Sequence, residues 1–197
     1  MSKKLLIVML VAVLTASYAQ AQLTYGVRTG VNLTNVFQWE DDDMKGHKWK
    51  GGFQLGVVAG YPLLEDVLLH SGILFSQQGM KVGNSIKCNL NYIQIPINLQ
   101  YTNQHGTIFQ VGPYLGFGIG GKMKATSGSS SYSEKIKFGS GNDAFNTFDF
   151  GLGAGLGFQL SNIQAVLGLN YGLTNIAPDV KMKNLGLVFT VTYLLGK

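Results

Sequence analysis

The stretch Phe148-Asp-Phe-Gly-Leu-Gly-Ala-Gly-Leu-Gly-Phe-Gln-Leu160 decides the fold of this 197-residue chain. Phe148, Phe150, Leu152, Ala154, Leu156, Phe158 and Leu160 take every second position, and Asp149, Gln159 and glycines take the others. Side chains of a strand point alternately to opposite faces, so a period of two gathers the apolar groups on one face of a sheet. A helix would scatter the same residues around its circumference. The stretch reads as a strand with one apolar face and one glycine-rich polar face.

The pattern recurs along the chain, in segments at 25–33, 53–61, 67–76, 92–101, 109–119, 148–160, 164–173 and 185–193. Each is close to the ~9–11 residues that a tilted strand needs to cross a hydrocarbon layer. The connections alternate in length. Those at 62–66, 102–106 and 161–163 are short, those at 36–50, 77–89 and 121–146 are long, and 174–183 is intermediate. Outer-membrane barrels combine an even strand number with short periplasmic turns and longer external loops. The expected fold is all-β: an eight-stranded antiparallel transmembrane β-barrel with both chain ends in the periplasm.

Charge decides which face is outside. Charged residues make up 13% of the chain, and only Arg28 and Asp149 lie well inside the segments. The outer surface of a soluble barrel carries roughly 25–35% charge, which the glycine-rich face lacks. Turning the apolar face outward into lipid removes the conflict. It also places Tyr25, Tyr61, Tyr101, Tyr171 and Tyr193 near strand ends, where an aromatic girdle belongs. After the N-terminus no apolar run is long enough for a membrane helix.

The N-terminus fits export to that location. Lys3 and Lys4 precede an apolar core at 5–16, and Ala19-Gln20-Ala21 offers small residues to a signal peptidase. Residues 1–21 are expected to be a signal peptide and 22–197 the barrel domain. Cys88 is the single cysteine and has no disulfide partner.

The inward set then defines the candidate site, a polar lumen network of Arg28, Gln54, His70, Tyr92, Gln94, Asn98 and Asp149. Eight strands leave an interior just wide enough for side chains. A hydrogen-bonded plug is therefore expected, with bulky groups from one wall filling the glycine notches of the other. Arg28 is expected to pair with Asp149 or to hydrogen-bond lumen amides, because a lone buried charge is costly. Pro96 and Pro113 each remove a ladder hydrogen bond, and a closed sheet has no edge to hide the loss, so each implies a bulge or gap.

Taken together, the segments resemble the PorT-like outer-membrane β-barrel family of Gram-negative bacteria. The resemblance rests on Gly26-Val-Arg-Thr-Gly-Val-Asn-Leu-Thr-Asn35, Gly52-Phe-Gln-Leu-Gly-Val57 and Gly72-Ile-Leu-Phe-Ser-Gln-Gln-Gly79. Leu90-Asn-Tyr-Ile-Gln-Ile-Pro-Ile97, Gly112-Pro-Tyr-Leu-Gly116, Phe148-Asp-Phe-Gly-Leu-Gly153 and Tyr171-Gly-Leu-Thr-Asn-Ile176 continue it in order. The resemblance implies the barrel fold, a proline at the position of Pro96, and for one branch a link to protein secretion across the outer membrane.

The long connections hold eleven lysines against seven acids, which suits outer-membrane lipids, lipopolysaccharide phosphates or acidic envelope and secretion-system proteins. The lysines are spread over four loops, so nucleic acid is not an expected partner. Glu40-Asp-Asp-Asp43 and His47 lack the glycine turn and distal glutamate of a calcium loop and read as a solvated loop. No spacing brings His47 to a serine or to Asp143 as a catalytic group. The Ser- and Gly-rich stretch 127–133 reads as a mobile loop. The expected protein is a non-catalytic envelope barrel without cofactor or metal, structural or interacting in role and possible as a secretion accessory. The alternative is a narrow channel or small-ligand-binding barrel.

Overall fold

The computed structural model describes residues 23–38, 47–83, 85–127, 130–139, 145–177 and 182–196. The expected signal peptide, the acidic run at 40–43 and Asp143 lie outside the described residues. Among the described residues ten strands follow in order: β1 (Thr24–Gln38), β2 (His47–Lys48), β3 (Lys50–Leu64), β4 (Val67–Val82) and β5 (Ile86–Thr102). Then come β6 (Thr107–Ser127), β7 (Ser130–Ile136), β8 (Phe148–Leu160), β9 (Ile163–Gly172) and β10 (Met182–Gly196).

Eight of these close a ring. β1 pairs β3, and the ladder continues through β4, β5, β6, β8, β9 and β10 back to β1, antiparallel throughout. β2 and β7 lie off the ring, each extending one strand, β4 and β6 respectively. The expected eight-stranded barrel is the fold observed.

Register fixes the barrel's dimensions. Leu69 leads through Leu99, Val111, Ala154, Leu169, Leu187 and Leu33 to Gly51. One further step in the β3–β4 register returns to β4 at Gly79, ten residues beyond the start. A stagger of ten over eight strands tilts each strand by about 40° and gives a backbone radius of about 8 Å. That leaves an interior for side chains and little else.

Two ends are distinct. Turns at 65–66, 103–106 and 161–162 close the short-turn end. The loop end projects further than expected. β4 runs to Val82 and β5 begins at Ile86, so most of the 77–89 connection is strand. β6 continues to Ser127 and pairs β7 from Gly121 to Ser127, so the stretch read as a mobile loop is largely a hairpin. Its residues lack apolar alternation because this hairpin stands clear of the apolar band, and ladder hydrogen bonds hold it without that signal.

Two departures from regular pairing matter. In β6, Gly120 pairs Asn91 and Gly118 pairs Tyr92, which leaves Ile119 as the extra residue of a bulge beside Gly120 (φ 155°). Both prolines open the gaps they imply. Pairing of β4 with β5 lapses between Ser71↔Ile97 and Leu74↔Gln94, at Pro96. Pairing of β5 with β6 lapses between Pro96↔Tyr114 and Leu99↔Val111, at Pro113.

The two faces differ as expected. Val31, Val57, Val111, Leu156 and Leu167 are exposed on the outside, while Arg28, Gln54, Gln94 and Gln100 are buried within. Aromatic residues bound the outer apolar band. Tyr25, Tyr61, Tyr101, Phe109, Phe158 and Tyr193 ring the short-turn end, and Phe53, Phe75, Phe117, Phe148 and Tyr171 ring the loop end. Phe117 lies eight steps along β6 from Phe109, about 20 Å of barrel height at this tilt.

Candidate functional site: the barrel lumen

Inward parity along each strand places side chains in layers. Nearest the short-turn end, Gln110 Nε2 donates to Gln100 Oε1 at 2.8 Å, and Gln164 Nε2 donates to Gln159 Oε1 at 3.0 Å. Above them Arg28, only 4% exposed, donates through Nε to Thr192 Oγ1 at 2.9 Å. Its Nη2 faces His70 Nε2 at 3.3 Å. A guanidinium has only donors, so His70 Nε2 accepts and the ring proton is assigned to Nδ1.

At the loop end Asp149 draws three donors to its two oxygens. Tyr114 Oη and Asn184 Nδ2 reach Oδ2 at 3.2 and 3.0 Å, and Thr174 Oγ1 reaches Oδ1 at 2.9 Å. The facing wall has its own set. Asn32 Nδ2 donates to Ser76 Oγ at 3.1 Å, and Thr34 Oγ1 donates to the Gly79 carbonyl at 2.8 Å. Lys50 is buried, with Nζ on the carbonyls of Gly51 and Gln78 at 3.2 and 3.3 Å.

All seven residues read from the sequence face inward, but they do not form one network. Gln54, Gln94 and Asn98 line a central cavity of about 60 Å³ between the Arg28 layer and Tyr114. A second void, of about 10 Å³, lies beside Asn32 and Asn184. The pairing expected of Arg28 does not occur; its partners are a hydroxyl and an imidazole rather than Asp149 or an amide. Depth is the reason. Arg28 is the fifth residue of β1 from the short-turn end, and Asp149 is the second of β8 from the loop end.

The glycine notches are also filled differently from expectation. The filling group comes from the neighbouring strand rather than from across the lumen. Tyr114 pairs Gly151 directly, and a Cβ on Gly151 would stand 2.5 Å from Tyr114 Cε1. The missing side chain lets the tyrosine lie flat along the wall with its hydroxyl at Asp149.

Apolar groups pack together toward the loop end. Cys88, Leu90 and Tyr92 are buried against Met80, Ile136, Phe138 and Phe145. Tyr92 and Phe138 meet edge to face with centroids 5.5 Å apart, and Phe138 packs 6.2 Å from Phe145. Tyr92 thus belongs to this plug as well as to the lumen wall. Ile136 and Phe138 reach it from the end of β7, which a loop reading of that stretch could not show. No group of three His, Cys, Asp or Glu side chains suited to a metal occurs among the described residues.

The sequence from residue 18 to residue 177 matches the family model of the outer membrane protein beta-barrel domain. The chain belongs to that family. Its apolar outer face is therefore a lipid-facing surface, and its strands are transmembrane strands of an outer-membrane protein. The fold has solved counterparts. Neisserial surface protein A superposes with a TM-score of 0.54 at 13% identity, covering 86% of this chain and 96% of that one. Ail, the attachment invasion locus protein of Yersinia pestis, superposes with a TM-score of 0.50 at 16% identity, covering 88% and 99%. At such identities the likeness is one of fold. No match was found among curated proteins.

Proposed function

We infer that this family member is a closed, non-catalytic barrel with a structural or interaction role at the cell envelope, as an accessory to protein secretion of the PorT-like type. The lumen supports the closed-barrel part of this reading, and the secretion role rests on the family resemblance alone. Hydrogen-bonded layers and an apolar plug leave a cavity of about 60 Å³, whereas a small-molecule pocket takes ~300–1,000 Å³. That volume suits a few waters. With the interior occupied by its own side chains, the surface left for recognition is the loop end. The short-turn end and both termini are assigned to the periplasm and the hairpins to the exterior, where envelope proteins and lipopolysaccharide are the partners.

Planar-bilayer recording on the folded protein tests the closed lumen. The expected result is no steady conductance, and reproducible open channels would overturn it in favour of the narrow-channel reading. Gene deletion tests the secretion role: a secreted cargo should be lost from the medium, and unchanged secretion with a leakier envelope would count against it.

A further inference from the structure

Four cross-strand rows climb the outer wall of β4, β5 and β6 at the loop end. The lowest is Phe75, Ile93 and Phe117, the top of the apolar band. Above it come Gln77, Asn91 and Gly120, then Gly79, Asn89, Lys122 and, on β7, Lys135. The fourth row is Lys81, Lys87 and Lys124, with Lys48 of β2 joining beside Lys81.

Residues directly opposite in an antiparallel pair share a face, so these lysines stand together on the wall that faces lipid lower down. The bulge in β6 makes it so. One extra residue at Ile119 reverses the parity of everything after it and turns Lys122 and Lys124 outward. Without it Gly121 and Met123 would face out.

Like charges directly opposite are destabilising, and this face holds Lys81 against Lys87, Lys87 against Lys124, and Lys122 against Lys135. Among the described residues of these rows no acid shares the face. Glu134 pairs Met123 on the other side of the hairpin. At its base lies an open groove of about 450 Å³, lined by Gln77, Asn89, Asn91, Lys122 and Lys135.

The order of rows matches the order of groups in a lipid leaflet. Apolar side chains meet acyl chains, amides meet hydroxyl and carbonyl groups, and ammonium groups meet phosphate. Each row adds about 5 Å of height at this tilt, and a lysine stem reaches back toward the ~5–8 Å head-group layer. We propose that this groove and the lysine rows above it bind the phosphorylated sugar head group of a glycolipid in the surrounding leaflet. Lys122 and Lys135 take the phosphate, and Gln77, Asn89 and Asn91 take the sugar hydroxyls. The proposal rests on the outer-membrane reading and deepens it by giving the glycolipid partner a site on the outer wall and the residues that hold it.

The test uses the full mature chain in phosphatidylcholine nanodiscs doped with bisphosphorylated lipid A, scored by native mass spectrometry for retained lipid. Heat-modifiable migration reports insertion separately. The wild type should retain lipid A, and K122Q/K135Q should weaken retention roughly twenty-five-fold, about fivefold for each lysine. Both proteins should keep the same heat-modifiable shift. Equal retention by inserted wild type and inserted variant would overturn the glycolipid site and leave the membrane reading standing. A wild type that does not insert would overturn both. Inositol hexakisphosphate is the soluble probe. If it displaced lipid A as effectively as added lipid A does, a soluble polyanion would replace the lipid as the ligand.

Discussion

Replacing Asp149 separates the need for a charge from the need for an acceptor. In Asp149→Asn the amide oxygen can take the place of Oδ2 and keep the donors from Tyr114 and Asn184. Its Nδ2 then faces Thr174 Oγ1, which can turn to accept because a hydroxyl both donates and accepts. The loss is charge assistance only, about 1 kcal/mol. Asp149→Ala instead strands three donors in a buried layer at about 1–1.5 kcal/mol each, for a total of about 3–4.5 kcal/mol. Because Arg28 bonds Thr192 and His70 in a different layer, Arg28→Met and Asp149→Asn should add with a coupling under about 0.5 kcal/mol. Urea unfolding in lipid vesicles, followed by fluorescence and gel shift, reads all of these. Equal damage from Asp149→Asn and Asp149→Ala, or a coupling above about 1 kcal/mol with Arg28→Met, would refute the layered lumen. It would restore a direct pairing of the two charges.

Two further substitutions test the walls. Gly151→Ala drives a methyl against both the Tyr171 carbonyl oxygen and the Tyr114 ring, 2.5 Å from Cε1, and should cost about 1–3 kcal/mol by the same assay. Gly51→Ala meets nothing within 4 Å and should stay within about 0.5 kcal/mol; equal effects at the two sites would remove the case for a filled notch. Leu152→Arg, midway between Phe148 and Phe158 on the outer face of β8, should cost about 2–4 kcal/mol in vesicles. Leu160→Arg, at the strand's short-turn end, should cost about 0–1 kcal/mol. The reverse ranking would mean that the band is misplaced.

Strand count and sidedness were legible because they are written in period two. Phe148–Leu160 alternates without a break, and its parity alone sends Asp149 inward and Leu156 outward. Gln100, Gln110, Tyr114 and Thr192 were readable by the same rule and complete the layers. Depth is not readable, since it depends on the ten-residue stagger accumulated around the ring, and that stagger sets Arg28 and Asp149 in different layers. Thr174 reaches Asp149 from a connection that has no alternation to follow. The lysine face was hidden for a third reason. A single bulge at Ile119 reverses parity in β6, and no local pattern of residues marks it apart from the neighbouring Gly120. The hairpin of β6 and β7 has a serine- and glycine-rich composition, which carries no strand signal although its ladder is continuous.

Everything above depends on the apolar wall meeting lipid. Electrophoresis of boiled and unboiled protein from fractionated cells tests it most directly. Recovery in the outer-membrane fraction and a faster-migrating unboiled band are expected, because the closed barrel resists detergent until heated. A protein recovered in the soluble fraction, with one mobility before and after boiling, would contradict it.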